Sequence, residues 1–248
     1  MAATDAPDAD PAEQVVLAHL ALAAAGQADL IWGHAAVRDP QGRGAWTKAA
    51  GWGFDEVDMD RVVLVSPDGE VLAGAGPRHV EYAIHTAVMA ARPDVGCVVH
   101  THAEAVTAFA ALDVPLRALN HDGVLFAGNL PRYPGSGGLI RTPALAADLA
   151  RALGDAPACL LPRHGLVAVG RSPAEAVMHA VLLERACRVQ LAAMAAGEPT
   201  DVSDDAEVAH KCGECWNETQ IDGGWRYLLR RAARDPHFPL PRFSETHR

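Results

Sequence analysis

The chain has 248 residues, half of them hydrophobic, and a formal net charge of −10 with histidine neutral. This much apolar material can form a sizeable core, which excludes disorder over most of the length. The acidic balance provides no broad basic face for nucleic acid or for an anionic membrane surface. Aromatic residues make up only 5% of the chain, whereas there are 12 histidines. This imbalance is the first functional signal.

The cysteine and hydropathy patterns predict a cytoplasmic protein with no membrane partner. Five cysteines at scattered positions are typical of reduced thiols rather than of a disulfide framework. The longest apolar runs, such as 15–25, are interrupted by histidine and are too short to span a bilayer. No basic segment precedes an apolar stretch near the N-terminus, as a secretory signal would require.

Periodicity and turn residues predict one domain over 12–235, between a disordered tail at 1–11 and an extended tail at 236–248. The predicted helices are 12 to a C-cap at 26, 80–91, 103–112, 144–153, 173–196 and about 225–233. The predicted strands are 62–65, 70–72, 96–100, 158–161 and 166–169. The Ser-Pro-Asp-Gly sequence at 66–69 predicts a hairpin turn, and 201–207 is expected to be an acidic loop. Interleaved helices and short strands indicate a layered α/β or α+β fold.

Two histidines stand at i and i+2 where a predicted strand ends, in the run Val98-Val99-His100-Thr101-His102. Side chains alternate along a strand, so both imidazoles point to the same side of the backbone. Neutral imidazole is a common ligand of transition metals, which makes a metal site one interpretation. His-x-His is a short pattern, however, and two unrelated histidines are the other interpretation.

Two further residues could belong to such a site. His164 stands in the turn Pro162-Arg163-His164-Gly165 between two predicted strands, and by itself it is most simply a turn residue. Glu81 lies early on the helix predicted before the His100 strand. A lone glutamate on a helix is usually solvated, and nothing in the neighbouring sequence distinguishes this one.

Together these residues and the segments around them resemble the class II aldolase/adducin family. The segments that carry the resemblance are, in chain order, 33–38, 66–69, Glu81, 92–95, 99–102 and 160–165. The resemblance covers roughly 14–197, which is most of the predicted domain. Glu81 precedes His100 by nineteen positions, the spacing that family aldolases have between the catalytic glutamate and the first metal-binding histidine. The combined pattern is much more specific than His-x-His alone.

The resemblance implies an α/β protein with the class II aldolase-like three-layer fold, a central and mainly antiparallel sheet flanked by helices. It implies one divalent transition metal ion per subunit (Zn, Mn, Fe or Co), bound by His100, His102 and His164, with Glu81 as the acid/base. Family members are often tetramers with the site between subunits, so a homo-oligomer is expected. The adducin-like scaffolds of the family lack the full ligand set, and its presence here favours an enzyme.

The chain departs from sugar-phosphate aldolases at the positions that bind phosphate in them. There the family has an asparagine in the first loop and two serines before the glutamate; here His34, His79 and Val80 stand in their places. His34, Arg78 and His79, with Arg38 nearby, suit a carboxylate at least as well, because a guanidinium binds carboxylates in a bidentate manner. Alternatively, these residues only line the rim of the site.

A family tyrosine that reaches a neighbouring active site as an acid is absent from its place some twenty residues after the His-x-His. The chain has Leu119-Asn120-His121-Asp122-Gly123 there. His121 could donate the proton, since an unperturbed imidazole titrates close to neutral pH. It could equally be a loop residue that is hydrogen-bonded to Asp122.

Some family members decarboxylate hydroxylated aromatic or pyridine dicarboxylates, and this chain resembles that branch more than the sugar-phosphate aldolases. A segment at 44–55, interpreted as a long insertion, supplies Trp46 and Trp52, which could stack on an aromatic ring or simply pack the loop. The expected function is therefore a metal-dependent decarboxylase of a dihydroxylated, phthalate-type aromatic carboxylate. The alternative is an aldolase that cleaves a sugar phosphate or a hydroxy acid.

A second candidate metal motif is the Cys-x-x-Cys of Cys212 and Cys215. A tetrahedral zinc site needs two more ligands, and the sequence has no second Cys-x-x-Cys. A pair of reduced thiols is the simpler expectation.

Overall fold

The computed structural model describes residues 10–236, in which helices lie on both faces of a seven-stranded sheet. The helices are α1 Pro11–Ala24, α2 Ala83–Ala91, α3 Glu104–Ala110, α4 Pro143–Leu153, α5 Pro173–Ala196, α6 Asp205–Cys215 and α7 Glu218–Ala232. The strands are β1 His34–Arg38, β2 Ala45–Lys48, β3 Val62–Val65, β4 Val71–Ala73, β5 Cys97–Thr101, β6 Ala158–Leu161 and β7 Gly165–Gly170. Most of the two predicted tails, namely 1–9 and 237–248, lies outside the described residues.

The strand order is β4-β3-β2-β1-β5-β7-β6, and every neighbouring pair is antiparallel. This confirms the predicted α/β, three-layer fold with a mainly antiparallel sheet. The interpretation of 44–55 as an inserted loop is wrong, because β2 lies inside the sheet, hydrogen-bonded between β1 and β3. Strand β2 has four residues and one β-branched side chain, which is too short a pattern to predict a strand.

Side chains alternate between two apolar layers, one on each face of the sheet. The layer with α1, α3, α5 and α7 receives Cys97 and Val99 from β5, whereas the layer with α2 and α4 receives Val98. His100 continues the phase of Val98 and therefore points to the α2 side. The sheet thus places the first histidine of the His-x-His on the face that Glu81 approaches from the start of α2.

The helices beyond the sheet agree with the prediction to different degrees. The helix predicted at 173–196 is confirmed residue for residue, with Ser172 as the N-cap and Gly197 after its end. The predicted loop at 201–207 is wrong in its second half, because Asp204 caps α6 and the helix begins at the next residue. The last helix begins at Glu218, seven residues earlier than expected. No helix within 10–236 combines the length and the apolar character that crossing a bilayer requires.

Candidate metal centre and active site

The two imidazoles of the His-x-His point their Nε2 atoms at each other, 3.2 Å apart, at the end of β5. His100 is fully buried, and its Nδ1 lies 2.8 Å from the carbonyl oxygen of Leu166. The Nδ1 of His102 lies 2.8 Å from a carboxylate oxygen of Asp29. Both partners only accept hydrogen bonds, so Nδ1 carries a proton in both rings. In its neutral form each ring therefore presents a bare Nε2 lone pair.

His164 completes a group of three from the turn between β6 and β7. Its ring centroid lies 4.9 Å from that of His100 and 5.1 Å from that of His102. The Nε2 of His164 is buried and has no hydrogen-bond partner among the described residues. The preceding residue, Arg163, has a φ of 63°, a left-handed conformation that is uncommon for a side chain of this kind. This tight turn brings the imidazole back toward β5.

Glu81 faces the same space as a buried carboxyl group. Its two oxygens lie 3.8 Å from the Nε2 of His100 and 3.7 Å from the Nε2 of His164. One of them accepts a 2.6 Å hydrogen bond from the backbone N–H of Ile140. Burial raises the pKa of Glu81, and the Ile140 N–H and the nearby His102 oppose that rise. The carboxyl group is thus prepared to take up a proton more readily than an exposed glutamate.

These donors fit a divalent transition metal ion. The ligand atoms of His100, His102 and His164 all lie within 4.8 Å of one another. Lone pairs that converge without a proton between them repel each other, and a cation removes that repulsion. Burial lowers the pKa of His100 well below its usual value and that of His164 to about 4, so both stay neutral and able to bind metal at neutral pH.

The close approach of β7 to His102 depends on Gly165. A Cβ at this position would lie 2.3 Å from the Thr101 carbonyl oxygen and 3.0 Å from the His102 ring. We expect Gly165→Ala to push β7 away from β5. This should lower the unfolding free energy by about 1–3 kcal/mol and weaken metal binding. The control is Gly213→Ala on α6, where a Cβ meets nothing within 4 Å and should stabilise the helix by up to about 1 kcal/mol. Urea titration and metal analysis measure both effects, and an unaffected Gly165→Ala variant would contradict the packing argument.

Two of the predicted substrate-binding residues lie beside this group. His34 is fully buried on β1 and pairs in register with His100. Its ring centroid lies 4.1 Å from that of His79, and its Nε2 has no hydrogen-bond partner among the described residues. The Nδ1 of His79 accepts a 3.3 Å hydrogen bond from the backbone N–H of Glu81. His34, Glu81 and His100 form a second, overlapping set of ligand atoms within 4.8 Å.

The two arginines of the predicted carboxylate site have partners elsewhere. Arg78 donates from Nε to the carbonyl oxygen of Gly69 at 2.6 Å, and its guanidinium lies 4.1 Å from the centre of the Tyr82 ring. Arg38 donates to the carbonyl oxygens of Met89, Arg92 and Val95, around the C-terminal end of α2. The expectation that Arg38 supports a carboxylate site is therefore wrong, because backbone carbonyls occupy its guanidinium.

The two tryptophans of 44–55 each have a packing partner. The Trp46 indole N–H donates to Asp39 at 2.9 Å, and the ring is half-buried against the core. Trp52 is 37% exposed, and the Arg61 guanidinium lies 4.0 Å from the centre of its ring. Both contacts agree with the packing alternative left open by the sequence.

His121 is exposed and is not part of the histidine group described above. Its carbonyl oxygen accepts a 2.6 Å hydrogen bond from the Trp216 indole. Asp122 accepts hydrogen bonds from Asn120 and Arg185 instead of from His121. The alternative in which His121 is hydrogen-bonded to Asp122 is therefore not seen among the described residues.

Cys212 and Cys215 lie on the surface helix α6 as free, partly exposed thiols. Within 10–236, neither residue belongs to a group of ligands close enough to hold a metal ion. The expected pair of reduced thiols agrees with this arrangement.

Sequence reasoning missed Asp29 and Lys48, which support the site from the loop before β1 and from the end of β2. Asp29 orients His102, as a carboxylate behind a metal-binding histidine commonly does. Lys48 is completely buried and donates to the carbonyl oxygens of Ile31 and Trp52, which ties these loops together. Burial lowers the Lys48 pKa to about 8. No local sequence pattern marks either residue, because Asp29 contacts His102 and Lys48 contacts Ile31, and each partner lies outside the neighbouring sequence.

The buried histidines predict a loss of stability in acid, and His19 offers the clearest test. It lies fully buried on α1, with Nδ1 2.7 Å from the Val15 carbonyl and Nε2 accepting from the Ala35 N–H. Burial, with a smaller contribution from Lys48, lowers the His19 pKa to about 3. The unfolded chain therefore binds a proton below about pH 6.5 that the folded chain binds only near pH 3, so stability falls as the pH drops through this window.

Removing this group should flatten the pH dependence. We expect His19→Gln to reduce the loss of unfolding free energy between pH 7 and pH 5 by about 2 kcal/mol, whatever its effect at pH 7. Urea titrations at both pH values, at one protein concentration, measure the difference. An unchanged pH dependence would show that His19 is protonated in the folded chain.

The chain belongs to the class II aldolase and adducin N-terminal domain family, whose model matches residues 13–191. It is 32% identical to a 3,4-dihydroxyphthalate decarboxylase of Arthrobacter keyseri, over 88% of this chain and 92% of that one. It is 33% identical to the meiotically up-regulated gene 14 protein of Schizosaccharomyces pombe, over 64% of this chain and 63% of that one. The solved structure of L-fuculose 1-phosphate aldolase from Glaciozyma antarctica superposes with a TM-score of 0.81, at 29% identity, over 94% of this chain and 93% of that one.

These comparisons confirm the family placement predicted from the sequence. The relatives that are named as enzymes include decarboxylases as well as a sugar-phosphate aldolase. These names support the prediction that this chain is a lyase. Class II aldolases use a divalent metal, and the group of His100, His102 and His164 could hold one here.

Proposed function

We propose that this protein is a metal-dependent carboxy-lyase that decarboxylates a dihydroxylated, phthalate-type aromatic carboxylate. The observation that carries the proposal is the pair of buried imidazoles, His34 and His79, beside Glu81 and His100. They stand where sugar-phosphate aldolases have amide and hydroxyl groups for phosphate, and they can serve a planar carboxylate. The similarity to a 3,4-dihydroxyphthalate decarboxylase over most of both chains also supports it.

His100, His102 and His164 would hold one divalent ion per subunit, of zinc, manganese, iron or cobalt. When bound, the ion supplies Lewis-acid polarisation of adjacent substrate oxygens. Asp29 and the Leu166 carbonyl keep two of these rings in the tautomer that leaves Nε2 free. These two rings therefore need no change of tautomer before they bind the ion.

Glu81 would be the acid that completes the reaction. When the carboxylate leaves as CO2, the electron pair of the broken carbon–carbon bond stays with the ring carbon, which must then receive a proton. The Glu81 carboxyl group lies beside two of the ligand nitrogens, and its raised pKa helps it to carry that proton. After giving the proton to carbon, Glu81 takes up another from water.

His34 and His79 would bind the carboxylate that the substrate retains, and Arg78 would join them by exchanging the Gly69 carbonyl for that carboxylate. His121 would act as a second proton donor in a neighbouring subunit. The last role requires the homotetramer that we propose, with the site at a subunit interface. Exposed apolar side chains beside the site support such an interface, with Leu30 72% and Trp32 48% exposed. We also propose a cytoplasmic location, in keeping with the free thiols.

A retro-aldol lyase acting on a sugar phosphate or hydroxy acid is the second candidate, because the same ligands and glutamate can serve it. The structural match to L-fuculose 1-phosphate aldolase favours this alternative. An adducin-like scaffold is less well supported, because the three histidines and Glu81 converge on one point.

A substrate panel separates these functions. Metal-loaded protein is incubated with dihydroxylated aromatic mono- and dicarboxylates and with phosphorylated ketoses, while CO2 and aldehyde release are followed in parallel. We expect CO2 release from an aromatic substrate with hydroxyls next to the carboxylate, and weak inhibition by inorganic phosphate. Aldehyde release from a phosphorylated ketose, with no CO2 from any aromatic acid, would overturn the decarboxylase in favour of the aldolase. No release of either product, and no bound metal, would favour the scaffold.

A further inference from the structure

A pair of hydrogen-bonded imidazoles, His34 and His85, lies behind the proposed substrate site. The Nδ1 of His34 and the Nε2 of His85 are 2.5 Å apart, and both residues are buried, with at most 1% of their surface exposed. The outer nitrogens, Nε2 of His34 and Nδ1 of His85, are buried and have no partner among the described residues. The reaction proposed above assigns no role to His85.

Two proton arrangements can form this bond between neutral rings. If His34 donates from Nδ1, its Nε2 is a bare lone pair, and His85 carries its proton on the buried Nδ1. If His85 donates from Nε2, His34 carries its own proton on Nε2, and the Nδ1 of His85 is a bare lone pair. The two arrangements therefore present opposite groups, an acceptor or a donor, to the site.

The surroundings of the two outer nitrogens favour the second arrangement. Either arrangement leaves one buried N–H without a partner among the described residues, on His85 in the first and on His34 in the second. The His34 ring lies beside those of His79 and His100, where a substrate oxygen can accept from that N–H, so the bare nitrogen belongs on His85, behind the site. A ring nitrogen of His34 lies within 4.8 Å of ligand atoms of Glu81 and His100.

We propose that His85 is a positioning residue: it donates to Nδ1 of His34 and so makes the Nε2–H of His34 a donor for a carboxylate or phenolate oxygen of the substrate. The substrate class rests on the proposed function, but the direction of the hydrogen bond does not. A protonated Nε2 cannot bind a metal. The proposal therefore also excludes His34 as a ligand, although its distances to Glu81 and His100 would allow it.

The first test reads the proton position directly. Zinc-loaded full-length protein with 15N-labelled histidine is studied by solid-state NMR, and the His34 signals are assigned as those missing from His34→Gln. We expect a protonated Nε2 and an unprotonated Nδ1. An unprotonated Nε2 would overturn the proposal, and so would loss of the bound zinc from His34→Gln, because His34 would then be a ligand.

The second test separates positioning from a merely structural role. We expect His85→Leu to raise KM for the aromatic substrate about tenfold or more, with kcat changed less and zinc content kept. His85→Gln keeps a donor toward Nδ1 of His34 and should restore most of the affinity, whereas equal KM values in the two variants would overturn the proposal. If His85→Leu does not fold, the NMR and zinc measurements still decide. Failure of the proposed function would give a different result: the NMR would show the expected protonated Nε2 of His34, but the protein would release no CO2.

Discussion

Alanine at His100, at His102 or at His164 is expected to abolish both the bound metal and turnover. Three protein nitrogens hold the ion while leaving positions open for substrate, and each substitution deletes one of these bonds. We expect less than about a tenth of an equivalent of metal per chain in each variant after dialysis, and no measurable product. Added ion should raise the melting temperature of the wild type and leave that of the variants nearly unchanged.

His210→Ala is the matched control, because this histidine lies exposed on α6, where it pairs with Glu214. It should keep full metal content and rate. Metal analysis by mass spectrometry, on protein purified without a histidine tag, gives the stoichiometry. A histidine whose alanine variant kept one equivalent of metal and a normal rate would not be a ligand.

The Glu81→Gln variant should keep its metal and lose most of its rate. The carboxamide has the shape of the carboxyl group, and its carbonyl oxygen can still accept from the Ile140 N–H. It cannot carry a proton to carbon, so we expect kcat to fall by about two to four orders of magnitude. Melting temperature and metal content should stay close to the wild type.

Glu198→Gln, at a carboxylate that is exposed on the surface beside Arg117, is the control and should leave the rate unchanged. Steady-state kinetics at a fixed metal concentration compare the three proteins. A Glu81→Gln enzyme with near-normal kcat would contradict the assignment and would move the acid/base role to His121 or His79.

The elements with strong local signals were predictable from the sequence. Helix α5 has a Ser-Pro start and a glycine after its end, and its bounds were exact. The sequence does not predict strands β1 and β2, because neither contains a run of β-branched residues. One partner of β1 is also the distant strand β5. The sequence predicts a loop over the first turn of α6, because acidic residues without periodicity are typical of loops.

The site residues likewise divide into those that the sequence predicts and those that it does not. His100 and His102 could be paired from their spacing alone, since strand geometry fixes their common side. The family resemblance, and not the local sequence, predicts that His164 and Glu81 belong to the site. The structure places both close to His100. Asp29 and His85 are separated by 73 and 51 residues from the histidines that they contact, so no local pattern could reveal them.

The most direct test of a metal-dependent decarboxylase is the release of CO2 from 3,4-dihydroxyphthalate, before and after one equivalent of metal is added to chelator-treated protein. We expect no release without the ion, and one CO2 per substrate consumed once the ion is present. CO2 release that is undiminished by chelation would contradict the metal requirement. Cleavage of a phosphorylated ketose by the same metal-loaded protein, with the aromatic acid left intact, would contradict the decarboxylase.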